Sequence, residues 1–401
     1  MKFRTPRTLR ATLEQVSRIK NDPHLALWSI IVILFPFYFF DSGLPQPGDL
    51  LTLLLLVVLV RTWNGRLPPG LVKPLKALVL FVLYVLLVNV VWSFAILTFT
   101  LNAKEGFLLA PSLYIFNGLV LFTFMLMFQR YGEFLLWITV RLVLASVFIQ
   151  LAIAFIVRPS IGRSTLMFNN PNQLGYYALL SACIILLGQK RLRMSTLQVT
   201  AGLAAASYLA LLSASKAALG SIAALGIVLV ITRVRMIVVA GLVFSALIFT
   251  SNPFSRAMER AQHRIETDQS LGFIQERGYD RIMAYPEYWF VGAGEGAYGR
   301  FTEVSAIGSH ELHSSIATLF FCYGIVGVVL FGIFLWGTMW GAGLRAWVIV
   351  GGALAYGMTH QGLRFRLLWL LVGMVSALRV LAKRERDARL AQQQQLQRPA
   401  A

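Results

Sequence analysis

FLLWITVRLVLASVFIQLAIAFIV, residues 134–157, carries one charge, Arg141, in an otherwise apolar run. At 1.5 Å per residue a helix of that length covers about 36 Å, more than the ~30 Å hydrocarbon core of a bilayer. Arg141 lies near one end, where its long stem can carry the guanidinium to the headgroups. Comparable runs occupy approximately 25–40, 48–61, 74–100, 107–128, 173–189, 196–213, 217–232, 236–250, 313–340, 343–358 and 367–382. The expected fold is therefore an all-α polytopic membrane protein of about twelve transmembrane helices.

Composition agrees. The chain is 57% hydrophobic and 13% charged, with a mean hydropathy of +0.69, whereas soluble domains are roughly 45–50% apolar and about 25% charged. The net charge of +19 would point to nucleic acid in a soluble protein. Here no basic domain stands outside the apolar runs, and excess Lys and Arg belong to the inner loops of membrane proteins. Cys183 and Cys322 both sit in apolar runs and read as small core residues. No cleavable signal peptide is expected, because the first apolar run ends in Leu44-Pro45-Gln46-Pro47 without a small-residue cleavage site.

With the N-terminus inside, the inner segments carry 23 Lys and Arg and the outer loops 12. That bias places both termini inside. The expected organisation is a basic amphipathic segment at 1–24, nine spans over 25–250, one large outer loop at 251–312, three spans over 313–382, and a basic, Gln-rich inner tail at 383–401. Segment 1–24 suits anionic lipid headgroups or a disordered tail.

The outer charges need another explanation than topology. Arg158 and Arg163 flank Pro159 and Gly162 ahead of Phe168-Asn-Asn-Pro-Asn172, and Lys216 follows Ser213-Ala-Ser215 at a predicted helix start. Ionisable groups at a membrane edge are functional candidates, with headgroup snorkelling as the plain alternative. Within the large loop, Arg256, Arg260 and Arg264 form a four-residue stripe, most simply a solvated helix face. Arg277 and Arg281 share that spacing, and like charges so placed repel unless an anion, Glu276 or Asp280 offsets them. Guanidinium groups are permanently charged, planar and bidentate toward phosphate.

Gly292-Ala-Gly-Glu-Gly-Ala-Tyr-Gly299 contains G-x-G-x-x-G, but no strand precedes it, so a turn returning the loop over the membrane is expected rather than a nucleotide site. His310-Glu-Leu-His313 falls one residue short of the H-E-x-x-H zinc pattern. No metal site and no cofactor are expected. His313, at the predicted first turn of a membrane helix, is the candidate general base, since an unperturbed imidazole titrates near ~6.5. The other reading of His313 is a histidine that only hydrogen-bonds at the interface, and His360 is read chiefly that way.

In order, the motifs are Phe168 to Asn172 entering a helix, Ser213-x-Ser215-Lys216, Arg277 and Arg281 before Pro286 and Gly292-x-Gly294, and His313 opening a helix that contains Tyr323-Gly324-x-x-Gly327. This order resembles the O-antigen ligase and polymerase superfamily of bacterial inner-membrane glycosyltransferases, over roughly residues 25–382. The superfamily often has Arg where Lys216 stands and Asn where Ser314 stands. The resemblance implies a GT-C-like helical fold with the large loop and active site in the periplasm. It implies a donor glycan on undecaprenyl pyrophosphate and, for a ligase, the lipid A-core oligosaccharide as acceptor. A polymerase would extend the glycan on its carrier, and a related branch transfers glycan to protein. The length and the single large loop look most like the ligase.

Such a transfer needs a more nucleophilic sugar hydroxyl and a stabilised pyrophosphate leaving group. His313 fits the first need as base, and Arg163, Lys216, Arg277 and Arg281 fit the second, with Arg158 and Arg264 behind them. Neither need calls for a metal. Direct displacement would invert the anomeric centre. Retention would need a carboxylate nucleophile, for which Glu276, Asp280 and Glu311 are lesser candidates. A transporter of lipid-linked substrates is the rival from another class. Against it, the apolar runs hold almost no charge and show no repeat.

Overall fold

The structure, a computed structural model, describes residues 21–97, 104–157, 163–232, 259, 273–301 and 311–396. Among these, all regular structure is helical: α1 Pro23–Leu34, α2 Pro47–Arg61, α3 Pro69–Leu97, α4 Lys104–Tyr131, α5 Glu133–Val157, α6 Pro171–Gly188, α7 Thr196–Ser213, α8 Lys216–Thr232, the short α9 Phe273–Glu276 and α10 Asp280–Ala284, then α11 Ser315–Met339, α12 Leu344–Ala355 and α13 Arg366–Leu396. Five stretches are long and apolar enough to cross a membrane: Pro69–Ala95, Phe107–Tyr131, Glu133–Val157, Thr196–Ser213 and Ser315–Met339. Pro23–Leu34, Lys216–Gly226 and Leu344–Met358 are apolar but shorter. The fold is that of a helical membrane protein. Eleven of the twelve apolar runs coincide with helices. The run at 236–250, residues 1–20, Arg158, Arg256, Arg260, Arg264 and His310 lie outside the described residues.

The helices begin where side chains supply the missing acceptors. Asp22 accepts from the amides of His24 and Leu25 ahead of Pro23, and Ser195 and Gln198 form a reciprocal box at the start of α7. Two boundaries differ from the sequence reading. α3 starts at Pro69, five residues before Pro74, which the apolar run took as its start. A proline inside a helix leaves the carbonyl four residues back without its amide. That carbonyl, of Gly70, is taken instead by Arg379, which also caps α11 through Gly337 and Trp340. α13 likewise does not end at the membrane edge but continues through the expected tail as an exposed helix to Leu396.

Side-chain bonds gather the connections into two ends. At one end Arg191 pairs with Glu133 and Glu385, Arg345 takes the Leu186 carbonyl and Gln189, and Arg379 bonds as above. At the other end Arg366 pairs with Asp49, Asn169 reaches the Phe40 carbonyl and Gln173 reaches Ser42. The first end collects the connections expected inside, and the second those expected outside. α6 and the first half of α13 are almost wholly buried and form the centre of the bundle.

α11 is broken. Gly324 adopts φ +62°, ψ −170°, so two rungs of the helix are missing. The loop residues 289–294 replace them. Ile325 and Val326 donate to the Trp289 and Phe290 carbonyls, while Ala293 and Gly294 donate to the carbonyls of Phe321 and Cys322. A Cβ on Gly324 would sit 2.2 Å from the Phe290 carbonyl oxygen, and one on Gly292 2.3 Å from that of Cys322. Only glycine permits this approach. The expected turn over the membrane is thus an insertion into a membrane-length helix, and Tyr323-Gly324 is its receptor.

Candidate active site

The expected site residues come from five separate stretches of chain, and most of these meet at Tyr356. Phe168 is buried against Tyr177, and Asn170 caps α6 by accepting from the Asn172 amide at 2.8 Å. Arg163 donates to the Ser213 carbonyl at 3.1 Å and to the Asn172 side chain at 2.5 Å. Tyr356 donates to the Asn172 carbonyl at 2.8 Å and stacks on Tyr176 with ring centroids 4.1 Å apart. The Ser215 hydroxyl lies beside that of Tyr356, and Arg163 and Arg277 act on the same phenol electrostatically. Lys216 opens α8 directly after Ser215 and is exposed. Ala214, between the two serines, holds φ +46°, a left-handed conformation rare for alanine.

His313 sits on the same rim with its backbone tightly held. Its neighbours Leu312 and Ser314 are buried while its own side chain is exposed. Ser314 caps α11 through the Ala317 amide, donates to the Gly357 carbonyl at 3.1 Å and meets the Tyr279 hydroxyl at 2.8 Å. Gln361 donates to the Leu312 carbonyl at 2.6 Å. The helix therefore begins at Ser315, and His313 precedes the cap instead of lying in the first turn.

Arg277 and Arg281 do not form one helical stripe. Gly278, at φ +75°, ends α9 and presses on Leu312, where a Cβ would fall 2.6 Å from a leucine methyl. Arg277 keeps company with Tyr356, whereas Arg281 is buried, its guanidinium 5.7 Å from the Tyr298 ring centre. Burial pushes the Arg281 guanidinium below its ordinary value. Of the lesser carboxylate candidates, Glu276 and Asp280 flank this turn, and Glu311 pairs with Arg364 at 2.5 Å.

Sequence reasoning missed Glu295. It is buried, its carboxylate pairs with Arg364, and it accepts from the Tyr323 hydroxyl at 2.7 Å. Burial alone would lower the Arg364 guanidinium, but Glu295 and Glu311 outweigh it and hold it well above its usual value. Asn89 of α3 donates to the Glu295 carbonyl and accepts its amide. The polar loop thus carries a carboxylate to the level of Asn89 on α3. Tyr356, Tyr279 and Asn172 also went unselected as site residues. A glutamate between glycines in an otherwise apolar-flanked stretch was the available signal for the first.

Among the described residues no group of three His, Cys, Asp or Glu is placed to hold a metal ion. What the rim offers chemically is a set of cations beside one exposed imidazole on rigidly held backbone. No protein-family model matches the chain, and no curated protein matches it in sequence, so the geometry and the order of the motifs carry the functional reading.

Proposed function

We propose that the protein is a lipid-pyrophosphate-dependent glycosyltransferase, an O-antigen ligase, acting at the periplasmic face of the bacterial inner membrane. The chain would cross the membrane about twelve times, with both termini in the cytoplasm. The observation that carries the reading is the convergence on Tyr356. Arg163 with Asn172, Ser213 to Lys216, Arg277 and the His313 segment are far apart in sequence; Arg163 bonds Asn172 and the Ser213 carbonyl, Tyr356 bonds the Asn172 carbonyl, Ser314 bonds the adjoining Gly357 carbonyl, and Arg277 lies within electrostatic reach of Tyr356. These are the stretches in which the resemblance to the ligase and polymerase superfamily resides.

In this reading Arg163, Lys216 and Arg277 stabilise the departing pyrophosphate, charge against charge. His313 takes the proton of the acceptor hydroxyl as that oxygen attacks the anomeric carbon. The bond from that carbon to the pyrophosphate oxygen breaks, and the configuration inverts. No metal is assigned a step. Arg281, being buried, supports the loop from below. Arg158 and Arg264 remain further phosphate candidates.

A transporter usually leaves a broken helix with backbone groups that receive substrate. Here the amides and carbonyls freed at Gly324 are taken by the protein's own loop. That favours a transferase over the rival.

His313→Ala tests the assignment. Transfer should fall by about 10²–10⁴-fold, with donor affinity and thermal unfolding temperature unchanged, because the side chain is exposed and its neighbours do the packing. A variant that turns over at the wild-type rate would remove the histidine from the mechanism.

A further inference from the structure

The loop inserted into α11 exposes three large apolar side chains: Trp289 at 41%, Phe290 at 68% and Val291 at 51%. Two helices of membrane length gauge their depth. The break at Gly324 lies nine residues below the start of α11 at Ser315, or about 14 Å down the helix. Tyr84, whose hydroxyl donates to the Val291 carbonyl at 2.6 Å, lies thirteen residues from the end of α3 at Leu97, about 20 Å. Half of a hydrocarbon core is ~15 Å. The tip therefore stands near the bilayer midplane. On α3, Leu87 and Val91, on the same helix face as Tyr84, are exposed as well.

The backbone of the loop agrees. Irregular chain survives at membrane depth only where its polar groups are satisfied within the protein. The carbonyls of Trp289 and Phe290 accept from Ile325 and Val326, that of Val291 from Tyr84, and that of Gly292 from the Trp92 indole at 2.9 Å. Those of Ala293 and Gly294 accept from Arg300, and that of Glu295 from Asn89. Seven consecutive carbonyls are thus paired, five of them by side chains, in a segment without a helix or strand of its own. A loop in water has no need of this, because water itself would satisfy them.

We propose that residues 286–297 form a re-entrant segment, and that Trp289, Phe290 and Val291 pack against the hydrocarbon chains of lipids in the leaflet on the side of the candidate site. The partner is lipid hydrocarbon, reached from a loop that its sequence position assigns to the aqueous side. The inference rests on α3 and α11 crossing the bilayer and is independent of any transfer reaction.

The test places a nitroxide at Phe290→Cys and, separately, at Ile274→Cys in the full chain in liposomes. Cys183 and Cys322 are buried, and unsubstituted protein supplies the labelling background. At position 290 the label should collide readily with oxygen and scarcely at all with a water-soluble nickel chelate. At exposed position 274, beside the rim, the chelate should have ready access. Equal chelate access at the two positions would overturn the proposal. So would dipolar broadening between labels at 290, which would assign the face to a second copy of the chain. Trp289→Cys repeats the measurement should Phe290→Cys not yield monodisperse protein.

Discussion

The rim around Tyr356 and the plug that the inserted loop forms around Glu295 are linked through Arg364, which pairs with both Glu295 and Glu311, yet they use charge in opposite ways. At the rim most of the holding bonds come from neutral groups, with Arg163 adding two, to the Ser213 carbonyl and Asn172. Hydroxyls of Ser314, Tyr279 and Tyr356 bind backbone carbonyls, while Arg163, Lys216 and His313 occupy exposed positions. In the plug the ions are folded inward. Each Glu295 oxygen has its partner, Arg364 or Tyr323, and Arg300 lies over the rings of Trp92, Phe107 and Phe301. A buried pair is expensive to break but adds little over an apolar pair. Exposed charge adds little to stability. The contrast gives the plug an architectural part, and the proposed function gives the rim the chemical one.

Breaking the plug should have the largest effect on stability. Glu295→Ala leaves Arg364 only the more exposed Glu311 and should cost about 3 kcal/mol, the low end for a broken buried pair, read as a lowered unfolding temperature in detergent. Glu295→Met combined with Arg364→Met should recover most of that loss. A double variant no better than the single one would show that these charges have a task beyond holding the loop.

Arg277 and Arg281 sharpen the comparison, because they are four residues apart on opposite sides of the divide. Arg277→Ala should weaken donor binding by roughly ten- to a hundredfold, the loss of a charge-assisted contact of about 1.5–3 kcal/mol, and leave unfolding unchanged. Arg281→Ala should lower stability and leave donor affinity alone. Titration calorimetry and thermal unfolding on both variants separate the two roles. Tyr356→Phe should have a smaller effect, about 0.5–1.5 kcal/mol for its bond to Asn172, with transfer slowed as the rim loosens. Smallest of all is Arg191→Ala at the opposite end. Its partners Glu133 and Glu385 are partly exposed, and such pairs are worth about 1 kcal/mol or less.

The helices were legible because apolar runs of membrane length have one economical structure; the caps at Asp22, Asn170 and Ser195 that fix their starts came only with the structure. The motifs of the rim were legible one at a time, but not the residue that joins them. Tyr356 reaches Asn172 across 184 residues, and no local pattern encodes that distance. The plug was hidden for the same reason. The exchange between Gly292-Ala-Gly294 and the break at Gly324 is a tertiary pairing, and the glycines announce only that a close approach occurs somewhere. Local spacing also misled at Arg277 and Arg281, where Gly278 turns the chain between them. Arg379 shows a converse case. It counts toward the inner charge bias, yet in the structure it fills the place Pro74 leaves vacant at Gly70.

The central claim is that the rim transfers a glycan from a lipid pyrophosphate. The most direct measurement reconstitutes the purified chain with undecaprenyl-pyrophosphate-linked glycan and rough lipopolysaccharide in the presence of EDTA, and separates the products by size. The account predicts a glycan-capped lipopolysaccharide whose formation depends on His313. Longer lipid-linked glycan beside untouched lipopolysaccharide would keep the chemistry but make the chain a polymerase. Two substrates recovered unchanged from folded protein would contradict the account.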